Sequence, residues 1–281
     1  MELERWQALG NEYLIVERER LSFGLTEQRV RLLCDERSGL AADGLLELSH
    51  EDSSVSADLT IWNADGSQAE LSGNGSRQAV LYLRASGWTD SNSVAIRTAA
   101  GIVTAELTGP ESATVAIGQA RTASAQFPSG PPDGRGEIEI EGNVLPFQFV
   151  SIGNPQCSFE LDSLERLERL ELAEIGRLVE NDARFPGRTN VSWWAPLGDG
   201  RIRARIFERG VGETSSSGTG ASGVAVASVL AGGSSPVTVV LDGGELVVEL
   251  DAAMNVELSG TANRVEQIRL SGELLERVQD A

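Results

Sequence analysis

Two short stretches with one shared pattern decide how this chain is interpreted. "ELSGNGSRQA" occupies Glu70–Ala79, and "SSSGTGASGV" occupies Ser215–Val224. In each stretch a serine precedes a Gly-x-Gly turn that leads into a helical pattern, and the two serines, Ser72 and Ser217, stand about 145 residues apart. Serine is a preferred residue for capping the start of a helix. The pattern therefore predicts that the chain builds the same strand–loop–helix element twice.

The repeat extends upstream of both loops. The stretch "IWNADGSQAELSGNG" (Ile61–Gly75) aligns without a gap with "IFERGVGETSSSGTG" (Ile206–Gly220). A Gly-Asn pair also lies at a similar distance before each loop, ending at Asn11 and at Asn154. Three landmarks in the same order and at the same spacing indicate an internal duplication.

Composition limits the kinds of partner. The chain has 281 residues, 41% of them hydrophobic, which is enough for one large or two ordinary domains with packed cores. The formal net charge of −19 argues against nucleic acid and against an anionic membrane surface as partners. The sequence has no apolar run long enough to span a membrane, and its N-terminus does not resemble a secretory signal, so we expect a cytoplasmic protein.

Missing residue types exclude several chemistries. All 23 basic residues are arginine, so a pyridoxal-phosphate Schiff base and a lysine-dependent phosphate loop are excluded. His50 is the one histidine, in the polar stretch "SHEDSS", where we expect an exposed loop without a catalytic role. Multi-histidine metal sites and a Ser-His-Asp triad are therefore not expected. Cys34 and Cys157 are too few for a disulfide framework, and we expect both to be packing residues.

Periodicity predicts many short strands and a few helices. The predicted strands are Ala57–Trp62, Val94–Thr98, Thr114–Gly118, Glu137–Glu141, Cys157–Leu161, Asn190–Ala195, Arg201–Phe207 and Leu246–Leu250. The predicted helices are Thr26–Arg37, Ser76–Ser86, Leu164–Asn181, Gly220–Ala231 and the tail "SGELLERVQ". The Pro- and Gly-rich segment Gln126–Glu137 is interpreted as a linker or long hairpin loop that divides the chain into nearly equal halves.

The repeated loop suits an anion. The first N–H groups of a helix have no partner within the helix, and the helix dipole adds partial positive charge there. Together they form a site for a carboxylate or a phosphate. Two such helix ends facing one ligand would hold its carboxylate from both sides and place one residue on each face of the α-carbon. A racemase without a cofactor needs this arrangement, because it must take a proton from one face and return one to the other.

The sequence resembles the diaminopimelate epimerase family of cofactor-independent enzymes. The resemblance covers most of the chain through motifs that keep the family's order: "ALGNEYLIVE", "AADGLLEL", "NADGSQAELSGNGSR", "GNPQ", "TNVSWW" and "ERGVGETSSSGTGAS". It implies an α/β (α+β) fold of two pseudo-symmetric domains, each a curled β-barrel-like sheet around a central helix, with the active site between them. We place the N-terminal domain at 1–118 with a returning segment 264–281, and the C-terminal domain at 119–263.

The resemblance also implies a substrate and a set of site residues. The substrate would be a small amino acid with two carboxylates, bound without a cofactor or metal and by a homodimer. Its binding residues would be Asn11, Asn63, Gly73, Asn74, Asn154, Asn190, Glu208, Arg209, Gly218 and Thr219. An arginine grips a carboxylate in a bidentate manner, and glycine-turn N–H groups suit the reacting carboxylate.

The chain departs from the family at the acid–base positions. The family has a cysteine before each Gly-x-Gly turn, where this chain has Ser72 and Ser217, and Gln156 replaces the histidine of the family's "GNPH" motif. A hydroxyl is a far weaker acid than a thiol, and it needs an adjacent base to act as a nucleophile or base. Glu208 is the best remaining carboxylate, so Ser72, Ser217 and Glu208 are the predicted catalytic residues. The other candidate carboxylates are Glu213, Asp65 and Glu70.

Four interpretations follow from these residues. The first is epimerisation of LL-diaminopimelate to the meso isomer, with the two serines in the acid–base positions. The second is a related isomerase of another small acid, with a carboxylate as base. The third is a non-catalytic paralogue that binds the ligand without turning it over. The fourth is that both serines were engineered from cysteines to trap a ligand.

Overall fold

The chain divides into two compact units. A computed structural model describes residues 1–50, 54–140 and 142–281. Unit 1 comprises Met1–Val115 and Gly260–Ala281, and unit 2 comprises Ala116–Ser259. The predicted loop around His50 and the predicted strand Glu137–Glu141 each extend partly outside the described residues. Because the C-terminal segment belongs to unit 1, the chain enters unit 2 and then returns.

Unit 1 is built mainly from antiparallel strands. Its strands are β1 (Glu2–Ala8), β2 (Asn11–Glu17), β3 (Gly44–Ser49), β4 (Ala57–Asn63), β5 (Gln68–Ala69), β6 (Ser93–Thr98), β7 (Gly101–Gly109), β8 (Ser112–Gln119, which continues into unit 2) and β18 (Asn263–Arg269). Its helices are a short 3-10 helix (Arg18–Arg20), α1 (Glu27–Cys34), α2 (Gly73–Ala85) and α6 (Glu273–Asp280). The returning strand β18 pairs antiparallel with β1.

Unit 2 repeats this composition. Its strands are β9 (Arg135–Ile140), β10 (Asn143–Ile152), β11 (Asn154–Glu160), β12 (Asn190–Gly198), β13 (Arg201–Glu208), β14 (Gly212–Thr214), β15 (Val237–Leu241), β16 (Gly244–Leu250) and β17 (Asn255–Thr261, whose last residues lie in unit 1). Its helices are α3 (Leu164–Glu168), α4 (Leu172–Glu180) and α5 (Gly218–Leu230).

The pairing pattern is the same in both units. In unit 1, β1–β2 is antiparallel, β2–β3 parallel, β3–β4 antiparallel and β4–β6 parallel. In unit 2, β10–β11, β11–β12, β12–β13 and β13–β15 repeat that series of directions. Each series ends with a hairpin, β6–β7 or β15–β16. The internal duplication expected from the aligned loops is thus present in the topology.

One helix lies inside the sheet of each unit. Helix α2 contacts β1, β2, β3, β7 and β18, and its residues from Gly73 to Leu83 are buried. Helix α5 contacts β10, β11, β12, β13, β15 and β16, and it is buried from Gly218 to Ser228. A helix that is buried on all sides must be apolar or satisfy its polar groups internally. This is the curled sheet around a central helix that the resemblance implied.

A second apolar layer covers the outside of each sheet. In unit 1, residues of α1 and α6 pack with strand residues such as Leu14 and Leu45. In unit 2, α3 and α4 cover an aromatic cluster in which Phe159 stacks on Trp193 at a centroid distance of 4.7 Å. The alternation of side chains along a strand explains this layering, because successive residues face the central helix and the outer helices in turn.

Most predicted elements are present, with two corrections. The first is that the predicted helix Leu164–Asn181 is broken into α3 and α4. Arg205 lies at the break, where its Nη1 donates to the carbonyl oxygens of Leu167 (2.9 Å) and Leu170 (3.0 Å). A guanidinium that takes these carbonyl groups stabilises the interruption, since they lack the partners a continued helix would provide.

The second correction concerns the Pro- and Gly-rich segment Gln126–Glu137. It lies wholly inside unit 2, not at a unit boundary, and it leads directly into β9, which begins at Arg135. Phe127 anchors it, with its ring 5.2 Å from that of Phe149 and 5.3 Å from that of Phe185. A buried aromatic residue fixes a turn-rich segment through tertiary packing that its local composition does not reveal.

The strand prediction was also incomplete. Among the strands that the structure describes, the periodicity did not single out β1, β2, β3, β5, β7, β10, β14, β15, β17 and β18. Strand β3 shows why, since all six of its residues are buried and its sequence "GLLELS" has no alternation. No helix among the described residues is both long and apolar enough to cross a membrane.

Candidate active site

The two Gly-x-Gly turns have nearly identical geometry. Ser72 caps α2 with backbone angles φ −137° and ψ 120°, and Ser217 caps α5 with φ −141° and ψ 121°. The Oγ of Ser72 accepts a hydrogen bond from the Gly75 N–H at 3.0 Å, and the Oγ of Ser217 accepts one from the Gly220 N–H at 3.2 Å. Helix α2 begins three residues earlier than predicted and helix α5 begins two residues earlier, each at the first glycine of its turn. We call the turn Ser72–Gly75 and the predicted site residues of unit 1 half-site 1. We call the turn Ser217–Gly220 and the predicted site residues of unit 2 half-site 2.

The cap uses each hydroxyl only as an acceptor. The oxygen accepts from the backbone, so its proton is still available for donation to a ligand. Among the described residues, neither Oγ is bonded to a carboxylate or an imidazole. The two serines are therefore placed as hydrogen-bond or proton donors, and among the described residues no carboxylate or imidazole is bonded to either hydroxyl to make it nucleophilic or basic.

In half-site 1, a tight turn places Asn63 at the end of β4. The Nδ2 of Asn63 donates to the Oγ of Ser67 at 2.9 Å, and Gly66 adopts a φ of +83°, a conformation that glycine allows. Asp65 accepts from the backbone N–H of Ser67 at 2.9 Å and from its hydroxyl at 2.6 Å. These hydrogen bonds lower the pKa of Asp65. The Asp65 carboxylate is exposed and is hydrogen-bonded within the turn, which argues against a role as the catalytic base.

Asn11 is tied to the same helix. The Nε2 of Gln78, on the second turn of α2, donates to the backbone oxygen of Asn11 at 3.0 Å. The Nδ2 of Asn11 donates to Asp43 at 2.9 Å, and Asp43 also accepts from the Glu12 N–H at 2.7 Å. The structure therefore brings the backbone of Asn11 to the second turn of α2.

A buried arginine lies behind the first turn of α2. Arg77 has no exposed surface, its Nη2 donates to the Oδ1 of Asn74 at 2.7 Å, and its Nη1 lies 3.4 Å from the oxygen of Gly73. In the described part of the chain it has no carboxylate partner, and its Nε has no hydrogen bond. Burial lowers the pKa of Arg77 to about 10, so the guanidinium is still charged at neutral pH.

In half-site 2, Glu208 occupies the position of Asn63. It is the last residue of β13, is half-buried, and its Oε1 accepts from the Oγ1 of Thr214 at 3.0 Å. Glu213, the alternative carboxylate, is ion-paired with Arg205 at 2.7 Å, and Glu70 of half-site 1 is exposed. Glu208 is thus the candidate carboxylate with the most sheltered position.

The turn after Glu208 is held by two buried residues. The Oδ1 of Asn190 accepts from the Arg209 N–H at 2.9 Å, and the Nδ2 of Asn190 donates to the oxygen of Pro155 at 3.0 Å. Glu180 accepts from the Gly210 N–H at 2.7 Å and from Arg188 at 2.8 Å. The backbone is thereby fixed, whereas the guanidinium of Arg209 is exposed and donates to the oxygen of Gly187 at 2.9 Å.

Asn154 connects β11 to the start of α5. Its Nδ2 donates to the Oγ1 of Thr219 at 3.2 Å, and its Oδ1 accepts from the Nε2 of Gln156 at 2.8 Å. Gln156 is fully buried against Gly223, where an added Cβ would come within 2.8 Å of the glutamine side chain. Gln156, at the position of the family's histidine, therefore orients Asn154 but cannot serve as a base.

The residues assigned no function lie elsewhere. Cys34 and Cys157 are buried in the outer apolar layers of their units, and burial raises the pKa of Cys34 to about 12 and that of Cys157 well above its usual range. His50 is exposed, with its ring 5.2 Å from that of Trp88. The described residues contain no group of three or more His, Cys, Asp or Glu side chains that would hold a metal ion.

Sequence reasoning missed the residues that support the two turns. Arg77, Gln78, Asp43 and Glu180 hold the loops in place, yet none was singled out. The sequence contained one weak signal for two of them: Arg77 and Gln78 interrupt the apolar pattern of helix α2. A charged residue on the buried face of a helix needs an internal role.

Comparison with solved structures defines the class of fold. A probable proline racemase from Agrobacterium radiobacter superposes with a TM-score of 0.72 at 15% identity, covering 96% of this chain and 92% of that one. A hydroxyproline epimerase from Agrobacterium vitis, solved with bound trans-4-hydroxy-L-proline, gives a TM-score of 0.72 at 16% identity, covering 96% and 90%. This chain therefore has the fold of these racemases and epimerases.

Sequence comparison defines the family. The family model for diaminopimelate epimerase matches residues 6–123 and 148–265, one match in each half of the chain. A diaminopimelate epimerase from Desulforudis audaxviator is 37% identical over 282 aligned positions, covering 94% of this chain and 97% of that protein. One from Synechocystis sp. is 32% identical over 273, with 94% and 97% covered. The chain belongs to the diaminopimelate epimerase family.

Proposed function

We propose that this chain epimerises LL-diaminopimelate to the meso isomer, a step in the synthesis of lysine and peptidoglycan precursors. Membership of the family across both halves of the chain carries this proposal. Two serine-capped Gly-x-Gly turns with matching geometry support it, since the start of a helix is a suitable site for an anion. The chain acts as a cytoplasmic homodimer in this proposal, with residues 1–118 and 264–281 as one domain and 119–263 as the other.

The substrate carboxylate next to the reacting carbon is held by the N–H groups of both turns. Gly73, Asn74, Gly218 and Thr219 supply those groups. The remaining polar groups of the substrate are bound by Asn11, Asn63, Asn154, Asn190 and Arg209. Arg209 suits the distant carboxylate, because its guanidinium is exposed and sits on a backbone turn that Asn190 and Glu180 hold in place.

The reaction exchanges one proton for another at the α-carbon. A base on one face takes the α-proton, and the electron pair of the broken C–H bond delocalises into the carboxylate, where the helix N-termini stabilise it. A donor on the other face then supplies a proton and inverts the centre. Ser72 and Ser217 are the groups nearest to the two turns, and Glu208 is the carboxylate available as a base. Because hydroxyls replace thiols, we expect a slow enzyme.

Proton NMR of LL-diaminopimelate in deuterated water tests the proposal. Loss of the α-proton signal together with the appearance of the meso isomer is the expected result, and Ser72→Ala and Ser217→Ala should each abolish epimerisation. Ser91→Ala, at an exposed serine outside both half-sites, is the matched control. Complete absence of exchange in folded protein, at every pH from neutral to alkaline, would sink the proposal.

A second candidate is a ligand-binding paralogue without turnover. One observation favours it: among the described residues, each serine oxygen is engaged only by a backbone N–H, with no side-chain base beside it. The two candidates separate in one sample. If the diaminopimelate isomers raise the melting temperature while no α-proton exchanges, the chain binds without catalysis. If Glu208→Gln abolishes exchange on a different small acid, a carboxylate-based isomerase is the function instead.

A further inference from the structure

Helix α5 ends beside a large cavity in unit 2. The cavity has a volume of about 540 Å³, and its lining includes Ser158, Trp194, Ala227 and Ala231. Ala227 lies ten residues after Ser217, which places it about 15 Å along the helix axis from that cap. The cavity is therefore separate from half-site 2.

Unit 1 has a smaller cavity at the equivalent end of α2. Its volume is about 200 Å³, and Tyr82 lines it. Tyr82 follows Ser72 by ten residues, just as Ala227 follows Ser217. The tyrosine is buried, and its ring lies edge-on to that of Trp6 at a centroid distance of 6.1 Å. Because alanine stands at the duplicated position, unit 2 lacks the phenol ring that fills this space in unit 1.

A carboxylate occupies the same place in both cavities. Glu17 lies six residues after Asn11, and Glu160 lies six residues after Asn154. In unit 1 the hydroxyl of Tyr82 donates to the Oε1 of Glu17 at 2.6 Å, and both side chains are buried. In unit 2 the alanine has no group to donate, and Glu160 is exposed. Unit 2 therefore keeps the acceptor of this hydrogen bond and has lost the donor together with its ring.

The wall of the unit 2 cavity adds a buried polar group. Ser158 stands where unit 1 has Ile15, two residues before the carboxylate on the same strand. The serine is 2% exposed, and its Oγ has no hydrogen-bond partner among the described residues. A buried hydroxyl without a partner carries a free-energy cost, which a polar ligand beside it relieves. Trp194 supplies an aromatic face to the same wall.

The charges at the rim favour a ligand that donates hydrogen bonds. Arg135, Glu137 and Glu160 line the cavity and are exposed, so two carboxylates accompany one guanidinium. The cavity also lies at the C-terminal end of α5, where the last carbonyl groups of a helix carry partial negative charge. Both features disfavour an anion.

We propose that this cavity binds a small planar aromatic molecule that carries a hydrogen-bond donor, of the phenol or arylamine class. The ring takes the place that Tyr82 fills in unit 1, and the donor bonds to Glu160. Cavities left by missing side chains take up molecules of the size of benzene. The inference is independent of the proposed function, because it concerns the end of α5 that is remote from the Gly-x-Gly turn.

Titration with 4-methylphenol, the side chain of tyrosine as a free molecule, tests the inference. We expect saturable binding of one molecule with a dissociation constant on the order of 1 mM, which is typical of a ligand of this size. Toluene lacks the hydroxyl and should bind about tenfold more weakly. NMR of the tryptophan indole N–H groups locates the site. The signal of Trp194 should shift, and that of Trp6, beside Tyr82 in unit 1, should not.

Two variants assign the binding to its residues. Ala227→Tyr restores the ring found in unit 1 and should abolish the binding of 4-methylphenol. Glu160→Gln weakens the acceptor and should reduce the preference for 4-methylphenol over toluene from about tenfold to about twofold. Glu249→Gln, at an exposed position on β16, is the matched control and should leave both affinities unchanged.

The inference is overturned if 4-methylphenol does not saturate a site, or if toluene binds the wild type as tightly. It is also overturned if the Trp6 signal shifts in place of the Trp194 signal, or if binding persists in folded Ala227→Tyr. Should Ala227→Tyr fail to fold, Ala227→Val decides: its added methyl groups occupy part of the space of the ring and should weaken binding about fivefold. An unchanged affinity in that variant would contradict the inference. Failure of α-proton exchange would count against the proposed function only, since this titration needs no turnover.

Discussion

Helices α2 and α5 begin with the same capped turn but are packed in different ways. The two caps differ by only a few degrees in φ and ψ. Behind its cap, α2 carries the large polar side chains of Arg77 and Gln78, whereas α5 has Ser222 and Gly223. In unit 2 the amide comes from strand β11, where Gln156 fills the space above Gly223. The turn is thus kept while its supporting side chains move between helix and strand.

This comparison separates what the site requires from how each unit provides it. Backbone N–H groups aimed at an anion require a cap and small residues at the turn. An amide beside the first asparagine is supplied by Gln78 in unit 1 and by Gln156 in unit 2. The charge behind the turn differs, since α2 has Arg77 where α5 has Ser222.

The largest expected effect comes from restoring thiols to both turns. Ser72→Cys combined with Ser217→Cys should raise the rate of epimerisation by roughly 100-fold or more, because a thiol with a pKa near 8.5 exchanges protons near neutral pH and a serine hydroxyl does not. Conversion of LL-diaminopimelate, followed by NMR, measures it. Ser91→Cys is the matched control at an exposed position. An unchanged rate in the double variant would mean that the serines do not occupy the acid–base positions.

The second-largest effect concerns the carboxylates that hold the backbone of each half-site. Glu180→Ala removes the acceptor of both the Gly210 N–H and Arg188, and it should lower the free energy of unfolding by about 2 kcal/mol. In half-site 1, Asp43→Ala removes the acceptor of the Glu12 N–H and of the Asn11 amide, but Asp43 is exposed, so the loss should stay below about 1 kcal/mol. Urea unfolding measures both. Equal losses would show that burial does not distinguish the two supports.

A glycine substitution probes the space behind each turn. An added Cβ at Gly220 would lie 2.8 Å from two side-chain atoms of Ile206, whereas at Gly75 the nearest contacts are 3.2 Å, to Leu46 and Ser72. Gly220→Ala should therefore cost about 2 kcal/mol of stability, and Gly75→Ala about 1 kcal/mol or less. Thermal unfolding of the two variants gives the comparison, and the reverse order would contradict the packing described for the two turns.

The caps themselves should contribute a smaller amount. Ser72→Gly and Ser217→Gly remove the side-chain acceptor but keep a residue suited to the cap position, so each should cost only a few tenths of a kcal/mol. Ser217 is buried and Ser72 is partly exposed, so the larger loss belongs to Ser217→Gly. A loss of several kcal/mol in either variant would indicate that the serine is needed for folding more than for chemistry.

The smallest effect concerns acid stability. Hydrogen bonds from Ser67 lower the folded-state pKa of Asp65, so its contribution is present above the unfolded pKa and is lost as the pH falls through the folded value. Between neutral and acidic pH, the free energy of unfolding of Asp65→Asn should therefore fall slightly less than that of the wild type. Because the turn is exposed, the change should be below about 0.5 kcal/mol. In half-site 2 the equivalent residue is Gly210, which has no titrating side chain, so this contribution is absent at that position.

Much of the architecture was predictable from particular residues. The gap-free alignment of Ile61–Gly75 with Ile206–Gly220 predicted the duplication, and the topology of the two units repeats it. Strands with alternating side chains, such as β6, were also predicted. Strands buried on both faces, such as β3, were not, because period-2 alternation disappears when neither face meets water.

The support of the site was less predictable. A sequence pattern identifies residues that act through the backbone conformation of their own turn, as Ser72 and Ser217 do. Glu180 contacts Gly210 across 30 residues of sequence, and Gln78 contacts Asn11 across 67. Such contacts depend on which strands lie beside the helix, and local spacing contains no information about that.

By itself, the sequence determined the repeated capped turn, the duplication and the chemistry that the lack of lysine excludes. These are local properties, set by backbone preference at Ser and Gly and by which functional groups exist at all. The tertiary structure decided where the charges lie. It buried Arg77 with no carboxylate partner among the described residues and left Glu208 half-buried, because burial and ion pairing are fixed by packing between distant segments.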